Sequence, residues 1–267
     1  MKRRTFVKSS FVTSAFAGLM APISQTSAAA ESQQNVNPEF YELRIYTLKN
    51  NRQRKAVETY FQQAAIPALN RLGSKTIGVF TEYLPQGFTK LVVLIPFNSL
   101  DDYFSVADKL ANDATYTQAG AEYLQAEATA PVYERIESSL LKAFKLMPKL
   151  DVPEKKARIF ELRRYESHSE TAGKKKIEMF NEGGEIAIFK RVGLTPVFFG
   201  ETLIGPFRPN LTYMLTFDNM EEHDQNWKTF GSDPAWKKIS SVPEFTDARI
   251  ISNINRLFLV PAAFSQI

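Results

Sequence analysis

The chain of 267 residues has no cysteine and only two histidines. The first absence excludes a disulfide framework, a thiolate metal site and a cysteine nucleophile. The second excludes a histidine-rich zinc or copper centre. No phosphate-binding loop, no GxGxxG and no GxSxG occurs, so the sequence signals of nucleotide binding and of a serine nucleophile elbow are missing. Charge of one sign is also missing from the body. The formal net charge is +4, but Lys2, Arg3, Arg4 and Lys8 all fall within the first thirty residues, which contain no acid. The remainder is balanced, and a balanced body has no global field to attract nucleic acid or anionic lipid. What is present, 44% hydrophobic and 23% charged residues, is ordinary globular composition.

Residues 1–30 read as an export leader rather than as structure. Lys2-Arg3-Arg4-Thr5-Phe6-Val7-Lys8 is a charged start, Phe11 to Ile23 is a mildly apolar stretch broken by Thr13, Ser14 and Gly18, and Ser27-Ala28-Ala29-Ala30 suits a signal peptidase. The stretch falls short of the ~20 apolar residues a membrane span needs. Arg3-Arg4 followed by Phe6 and Lys8 resembles a bacterial twin-arginine signal. The expectation is therefore a periplasmic or secreted protein, delivered by the twin-arginine export machinery, with no stable span in the mature chain. Residues 31–38 are a polar linker.

The rest is one unit written twice. Glu42-Leu43-Arg44 returns as Glu161-Leu162-Arg163, and Arg71-Leu72-Gly73 as Arg191-Val192-Gly193. Leu91 to Phe97 returns as Leu211 to Phe217, and Asp113-Ala114-Thr115-Tyr116 as Asp233-Pro234-Ala235-Trp236. Arg135-Ile136 and Ser138 are matched to Arg249-Ile250 and Ser252. Two long copies at near-constant shift argue against a solenoid of many short repeats.

In the first copy, apolar alternation predicts strands over 40–48, 76–84, 90–97 and 131–144. Helical spacing predicts a helix from Arg52 to Leu72 stopped by Gly73, and another from the Ser99 cap to about Leu110, with a further helical piece from Asp113. The second copy predicts strands near 157–166, 195–204, 210–218 and 247–259, and helices near 171–192 and 219–239. The Gly183-Gly184 pair inside the helix of the second copy is out of place. The order β-α-β-β-α-β is the ferredoxin-like unit. Unit 1 spans 39–147, a linker 148–156, and unit 2 157–267. One face of each sheet is covered by helices, and the economical cover for the other is the sister sheet. The predicted fold class is α+β: two tandem ferredoxin-like units forming a pseudo-dimeric α/β barrel.

Phe160-Glu161-Leu162-Arg163-Arg164-Tyr165, Phe199-Gly200-Glu201, Pro209-Asn210-Leu211-Thr212-Tyr213-Met214-Leu215, Trp227-Lys228-Thr229-Phe230 and Asp233-Pro234-Ala235-Trp236 together resemble the NIPSNAP family of the dimeric α/β barrel superfamily. The likeness is stronger over 157–260 than over 40–146, where Tyr103 stands in place of His223. The resemblance implies the ferredoxin-like fold and paired sheets, but no agreed reaction. Related branches of the superfamily include haem-degrading monooxygenases, cofactor-free oxygenases, chlorite-dismutase-like haem proteins and plain ligand-binding barrels.

Strand alternation assigns Tyr41, Leu43, Ile45, Phe160 and Leu162 to the helix-facing side. Glu42, Arg44 and Tyr46, with Glu161, Arg163 and Tyr165, then point into the inter-sheet space. There the arginines suit an anionic group, and Glu161 suits a general base unless Arg163 lowers its pKa again. The competing reading is a Glu–Arg pair that only joins the sheets. His168, just past a strand end, is the other candidate base or an axial haem ligand, and otherwise a solvated loop residue. His223 reads as solvated helix-start chemistry, while Trp227, Phe230 and Trp236 read as core. Glu201 and Asn253 lie on strands whose faces the pattern leaves open. The candidate set is thus Glu161 and His168 for catalysis, with Arg163, Tyr165, Arg44, Tyr46 and Glu42 for substrate, and no metal site. The functional expectation is an exported barrel that binds or transforms a small apolar or anionic molecule, without a cofactor. A haem-binding or haem-degrading barrel is one alternative, and a protein that assembles with itself or with partners is another.

Overall fold

The computed structural model describes residues 37–85, 87 and 89–267. The expected leader and most of the expected linker, with the arginine pair, lie outside these residues. In chain order the elements are β1 (Phe40–Leu48), α1 (Asn51–Tyr60), a π-helical turn (Phe61–Ala65), α2 (Ile66–Arg71), β2 (Gly78–Glu82) and β3 (Thr89–Phe97). Then come α3 (Leu100–Ala111), α4 (Ala114–Ala119), α5 (Ala121–Leu124) and β4 (Arg135–Ala143). The second copy runs through β5 (Ile159–Glu166), α6 (Glu170–Asn181), α7 (Glu185–Arg191), β6 (Thr195–Ile204) and β7 (Asn210–Phe217). It closes with α8 (Met220–Ser232), α9 (Pro234–Ser240), α10 (Asp247–Ile250) and β8 (Asn253–Pro261).

The strands form one closed antiparallel barrel in the order β1-β3-β2-β8-β5-β7-β6-β4. Each copy contributes four neighbouring strands, with its last strand beside its first. The copies join at β2–β8 and at β4–β6. Closure leaves no sheet edge with unpaired backbone groups.

Local signals account for the helix boundaries. Asn50, Ser99, Asp113, Ser169, Asn219 and Asp233 each accept a hydrogen bond from a first-turn amide, which satisfies donors a helix start leaves free. Gly73 (φ +100°) and Gly193 (φ +85°) follow the ends of equivalent helices. The arginine two residues before each glycine repeats one ion pair: Arg71 with Asp113, and Arg191 with Asp233. The Gly183-Gly184 pair is where the long helix expected in the second copy breaks. Gly184 is left-handed (φ +87°) and α7 begins after it, because glycine takes that conformation without steric cost. The other long helix, expected over 219–239, divides at the Asp233 cap.

Among the described residues three large apolar cores and one small cluster around Ala172, Met179 and Ile250 hold the fold. One lies between the first-copy sheet and its helices, and one between the second-copy sheet and its helices. The third draws Tyr41, Leu43, Phe80, Leu141, Phe160, Phe198, Met214 and Leu259, among others, from all eight strands, so it is the barrel interior. Each buried aromatic there contributes roughly 1.5–3 kcal/mol of apolar transfer energy. Leu150 from the linker and Ile267 pack onto the same core.

Two sequence expectations are corrected here. First, the faces of β1 and β5 are inverted. Tyr41, Leu43, Phe160 and Leu162 fill the barrel, while Tyr46 and Tyr165 belong to the helix-side cores. By alternation Glu42, Arg44, Glu161 and Arg163 lie under the helices, not between the sheets. Both faces of these strands are buried, so the apolar set goes to the interior, where few polar partners exist. The polar set goes where helix side chains can hydrogen-bond to it. Second, Arg249-Ile250 is not the counterpart of Arg135-Ile136. Those residues form α10, and the last strand starts at Asn253. Tyr46 pairs with Ile136 and Tyr165 with Ile254, which makes Ile254 the equivalent of Ile136.

Candidate functional site

The second copy holds a charged cluster between β5, β7, β8 and α8. Cap Asn219 starts α8, and His223 and Trp227, one turn apart, are both presented to the sheet. Glu161 is fully buried (0%) and Arg163 nearly so (9%). Arg163 Nη1 donates to Glu161 Oε1 at 2.8 Å, and Trp227 Nε1 donates to Glu161 Oε2 at 2.9 Å. Arg163 Nη2 donates to Tyr165 Oη at 3.0 Å, which also accepts from Tyr213 Oη at 3.1 Å. The guanidinium carbon lies 4.3 Å from the Trp227 ring centroid, a cation–π contact. His223 Nε2 is 3.3 Å from Glu161 Oε2, and His223 Nδ1 is 2.8 Å from Asp224 Oδ1. The first of these is an attraction of charges without hydrogen-bond alignment: His223 Nε2 and Arg163 Nε are two of four side-chain atoms among the described residues that are buried with no hydrogen-bond partner, the others being Asn70 Oδ1 and Arg158 Nε.

The electrostatics follow from these neighbours. Burial disfavours the Glu161 carboxylate, but His223 and Arg163 outweigh it and hold its pKa below the ordinary value. Burial likewise disfavours a charged His223, but Glu161 and Asp224 outweigh it and raise its pKa. Beside the cluster, Lys176 (1% exposed) forms an ion pair of 3.0 Å with Glu185. The Lys176 Nζ sits 4.7 Å from the Phe180 ring centroid and 5.4 Å from that of Tyr165. Burial raises the Glu185 pKa even against the pull of Lys176.

The first copy has the same frame and a different chemistry. Arg44 Nε and Nη2 both donate to Glu42, at 2.7 and 2.8 Å, and Ser138 Oγ donates to Glu42 Oε1 at 2.8 Å. Arg44 Nε is therefore occupied where Arg163 Nε is free. By the repeat, Tyr103 replaces His223 and Ala107 replaces Trp227. The surrounding space is tyrosine-rich: Tyr46 and Tyr123 hydroxyls meet at 2.9 Å, and Tyr60 and Tyr116 hydroxyls at 2.7 Å.

Of the residues singled out from sequence, Glu161, Arg163 and Tyr165 meet in one cluster, and Glu42 and Arg44 in its first-copy counterpart. Tyr46 joins the first-copy tyrosines. His168 joins neither: it is exposed in the turn just before the Ser169 cap. The histidine in the cluster is His223, the one the acidic turn marked as solvated. It was hidden because its partner Glu161 is distant in the chain. The usable signal was its spacing of four from Trp227, which puts both on one helix face. Tyr213, Lys176 and Glu185 were also missed. The arginine on the barrel face of β5 is Arg164. It pairs with Glu166 at 2.9 Å, and Asn253 and Asn255 donate to the same carboxylate. Glu201 shares the outer face with Leu211, its cross-strand partner.

No cluster of three or more His, Asp or Glu among the described residues could hold a metal ion, and none of the described helices is long and apolar enough to cross a membrane. Neither histidine fits an axial haem ligand: His168 sits on an exposed turn, and the His223 ring is held between Glu161 and Asp224.

Two ferredoxin-like units closing one eight-stranded barrel define the dimeric α/β barrel class, here within a single chain. The chain belongs to the NIPSNAP family, whose model matches both copies, over residues 41–148 and 160–266. No curated protein matches it in sequence. Among solved structures it is similar to a candidate monooxygenase from Fusobacterium nucleatum, with 10% identity, 84% of this chain and 93% of that chain covered, and a TM-score of 0.55. It is also similar to an anthrone oxidase-like protein, with 12% identity, 85% and 92% covered, and a TM-score of 0.51. A NIPSNAP family protein from Agrobacterium tumefaciens is 20% identical over 40% of this chain and 96% of its own, with a TM-score of 0.35.

Proposed function

We propose that this NIPSNAP protein is exported and binds a small apolar molecule carrying an oxyanion or a polarised carbonyl. The working site in this reading is the second-copy cluster under α8 rather than the barrel interior, which side chains fill. The observation that carries it is the buried Arg163 Nε without a partner, beside a His223 Nε2 that faces the Glu161 carboxylate without an aligned hydrogen bond. A buried polar atom left unpaired costs about 1–3 kcal/mol, so such atoms concentrate where a ligand or water completes them. The first copy, built on the same frame, leaves its arginine Nε occupied.

In this reading Arg163 orients the anionic oxygen, Trp227 and Tyr165 hold the guanidinium plane, and His223 moves a proton with Glu161 stabilising its charged form. The leader supports delivery outside the cytoplasmic membrane through the twin-arginine route. Imidazole NMR tests the site directly, since the chain has two histidines and His168 serves as the internal control. Small apolar carboxylates, ketones and phenols are titrated in turn. At least one class is expected to shift the His223 signals and leave those of His168 in place. If every class leaves His223 unmoved, the reading is wrong.

A further inference from the structure

Arg256 stands directly opposite Arg163 across the β5–β8 pair. Residues opposed in this way share a face, so both arginines project from the outer side of the sheet. The flanking pairs agree: Glu161 lies opposite Phe258, and the Phe258 ring is 5.1 Å from that of His223. Like charges directly opposed on a sheet destabilise it unless something neutralises them. Arg163 has Glu161, yet keeps a buried unpartnered Nε. Arg256 is exposed and pairs with no acid among the described residues. At the equivalent place in the first copy Arg44 faces Ser138, whose hydroxyl serves Glu42. The second copy has therefore replaced an internal hydroxyl by a second, outward cation.

The outer face of β8 is covered by α8 at Phe258 and opens to solvent from Arg256 back to Asn253. Ile254, next to Arg256 on that face, is 39% exposed, and Phe258 is half-buried. An apolar lane thus runs along β8 on either side of one free cation, beside a buried arginine with a vacant donor.

We propose that Arg256 is a ligand-binding residue and that the site takes an amphiphilic monocarboxylate. The carboxylate is held between the Arg256 guanidinium and Arg163 Nε, and the apolar tail lies on Phe258 and Ile254. A single negative charge fits, because Glu161 neutralises Arg163 while Arg256 pairs with no acid among the described residues, which leaves one positive charge over. This inference rests on the proposed working site and adds to it the charge of the ligand and the residue that selects it.

Calorimetric titration of octanoate, octanol and inorganic phosphate into the wild type and Arg256→Ser, the first-copy residue, tests it. Arg256 is exposed and opposes Arg163, so the variant is expected to unfold at or slightly above the wild-type midpoint, and Arg256→Lys serves as the charge-retaining control. Octanoate is expected to bind the wild type, to bind Arg256→Ser about tenfold or more weakly, and to recover in part with Arg256→Lys. Octanol is expected to bind both proteins alike, and phosphate to bind less tightly than octanoate. Equal octanoate affinity in wild type and Arg256→Ser overturns the role of Arg256 and leaves the site itself standing. Octanol binding without octanoate binding overturns the ligand charge. Phosphate binding as tight as octanoate removes the apolar lane. Absence of binding by all three probes overturns this inference, and the imidazole titration with ketones and phenols decides the proposed site separately.

Discussion

The imidazole of His223, on α8, sits 3.3 Å from the carboxylate of Glu161, on β5, which also accepts the indole hydrogen of Trp227. The two ionisable groups shift one another in opposite directions. His223 is raised above its ordinary 6.5, so its contribution to stability is fully present below that pH and is lost as pH rises through the raised value. Glu161 is lowered below its ordinary 4.5, so its contribution is present above that pH and is lost as pH falls through the lowered value. Stability relative to His223→Asn should therefore be greatest between about pH 4.5 and 6.5 and decline on either side. Urea unfolding midpoints of both proteins across pH measure it. A difference that does not vary with pH would show that the pair is not coupled.

Arg163→Ala leaves the fully buried Glu161 carboxylate without its arginine. Unfolding free energy should fall by about 3–5 kcal/mol, the usual cost of breaking a buried pair from one side. The double variant Glu161→Gln, Arg163→Met should recover much of that loss, because no charge is then stranded. Chemical denaturation of the three proteins decides it, and a loss in Arg163→Ala below about 1 kcal/mol would mean water already solvates the pair.

Lys176 and Glu185 form a second buried pair, each side chain about 2% exposed. Lys176→Met should cost about 3–5 kcal/mol at neutral pH. Burial already raises the Glu185 pKa. The variant should therefore regain stability as pH falls and the stranded carboxyl takes up a proton. A pH-independent deficit in thermal melts would point to lost packing rather than to a stranded charge.

Two glycines should respond in opposite directions to alanine. A Cβ on Gly183 would press into the backbone of Met179, whereas one on Gly231 in α8 meets nothing within 4 Å. Gly183→Ala should destabilise by about 1–3 kcal/mol through overpacking. Gly231→Ala should stabilise by about 0.5–1 kcal/mol through helix propensity. Equilibrium unfolding of both variants gives the signs.

If residues 1–30 are the twin-arginine leader proposed above, replacing Arg3 and Arg4 together by lysine should keep the protein in the cytoplasm. Fractionation with an antibody to the mature chain reads this. Normal export of the double variant would assign the leader to the general secretory route, which tolerates lysine.

The repeat, the strand alternation, the capping residues and the glycine stops were legible because each is a local pattern. A ferredoxin-like unit written twice, with one open face per sheet, leaves the closed barrel as its economical solution. The order of the two repeated arginine–aspartate pairs was likewise visible as a recurrence, before their contact was known. What the tertiary structure alone decided was which way the alternation points. A period of two is unchanged when every side chain is turned over, and strands covered on both sides carry apolar residues on both. The Glu161-Arg163-Tyr165 set therefore had two placements consistent with its own neighbours. Only the helix that supplies His223 and Trp227 selected the outer one. The same holds for β8: Ile250 and Ile254 both match the repeat locally, and the cross-strand register with Tyr165 set Ile254 in place and brought Arg256 opposite Arg163. These contacts join residues far apart in the chain, and their energies exist only once the sheet has closed.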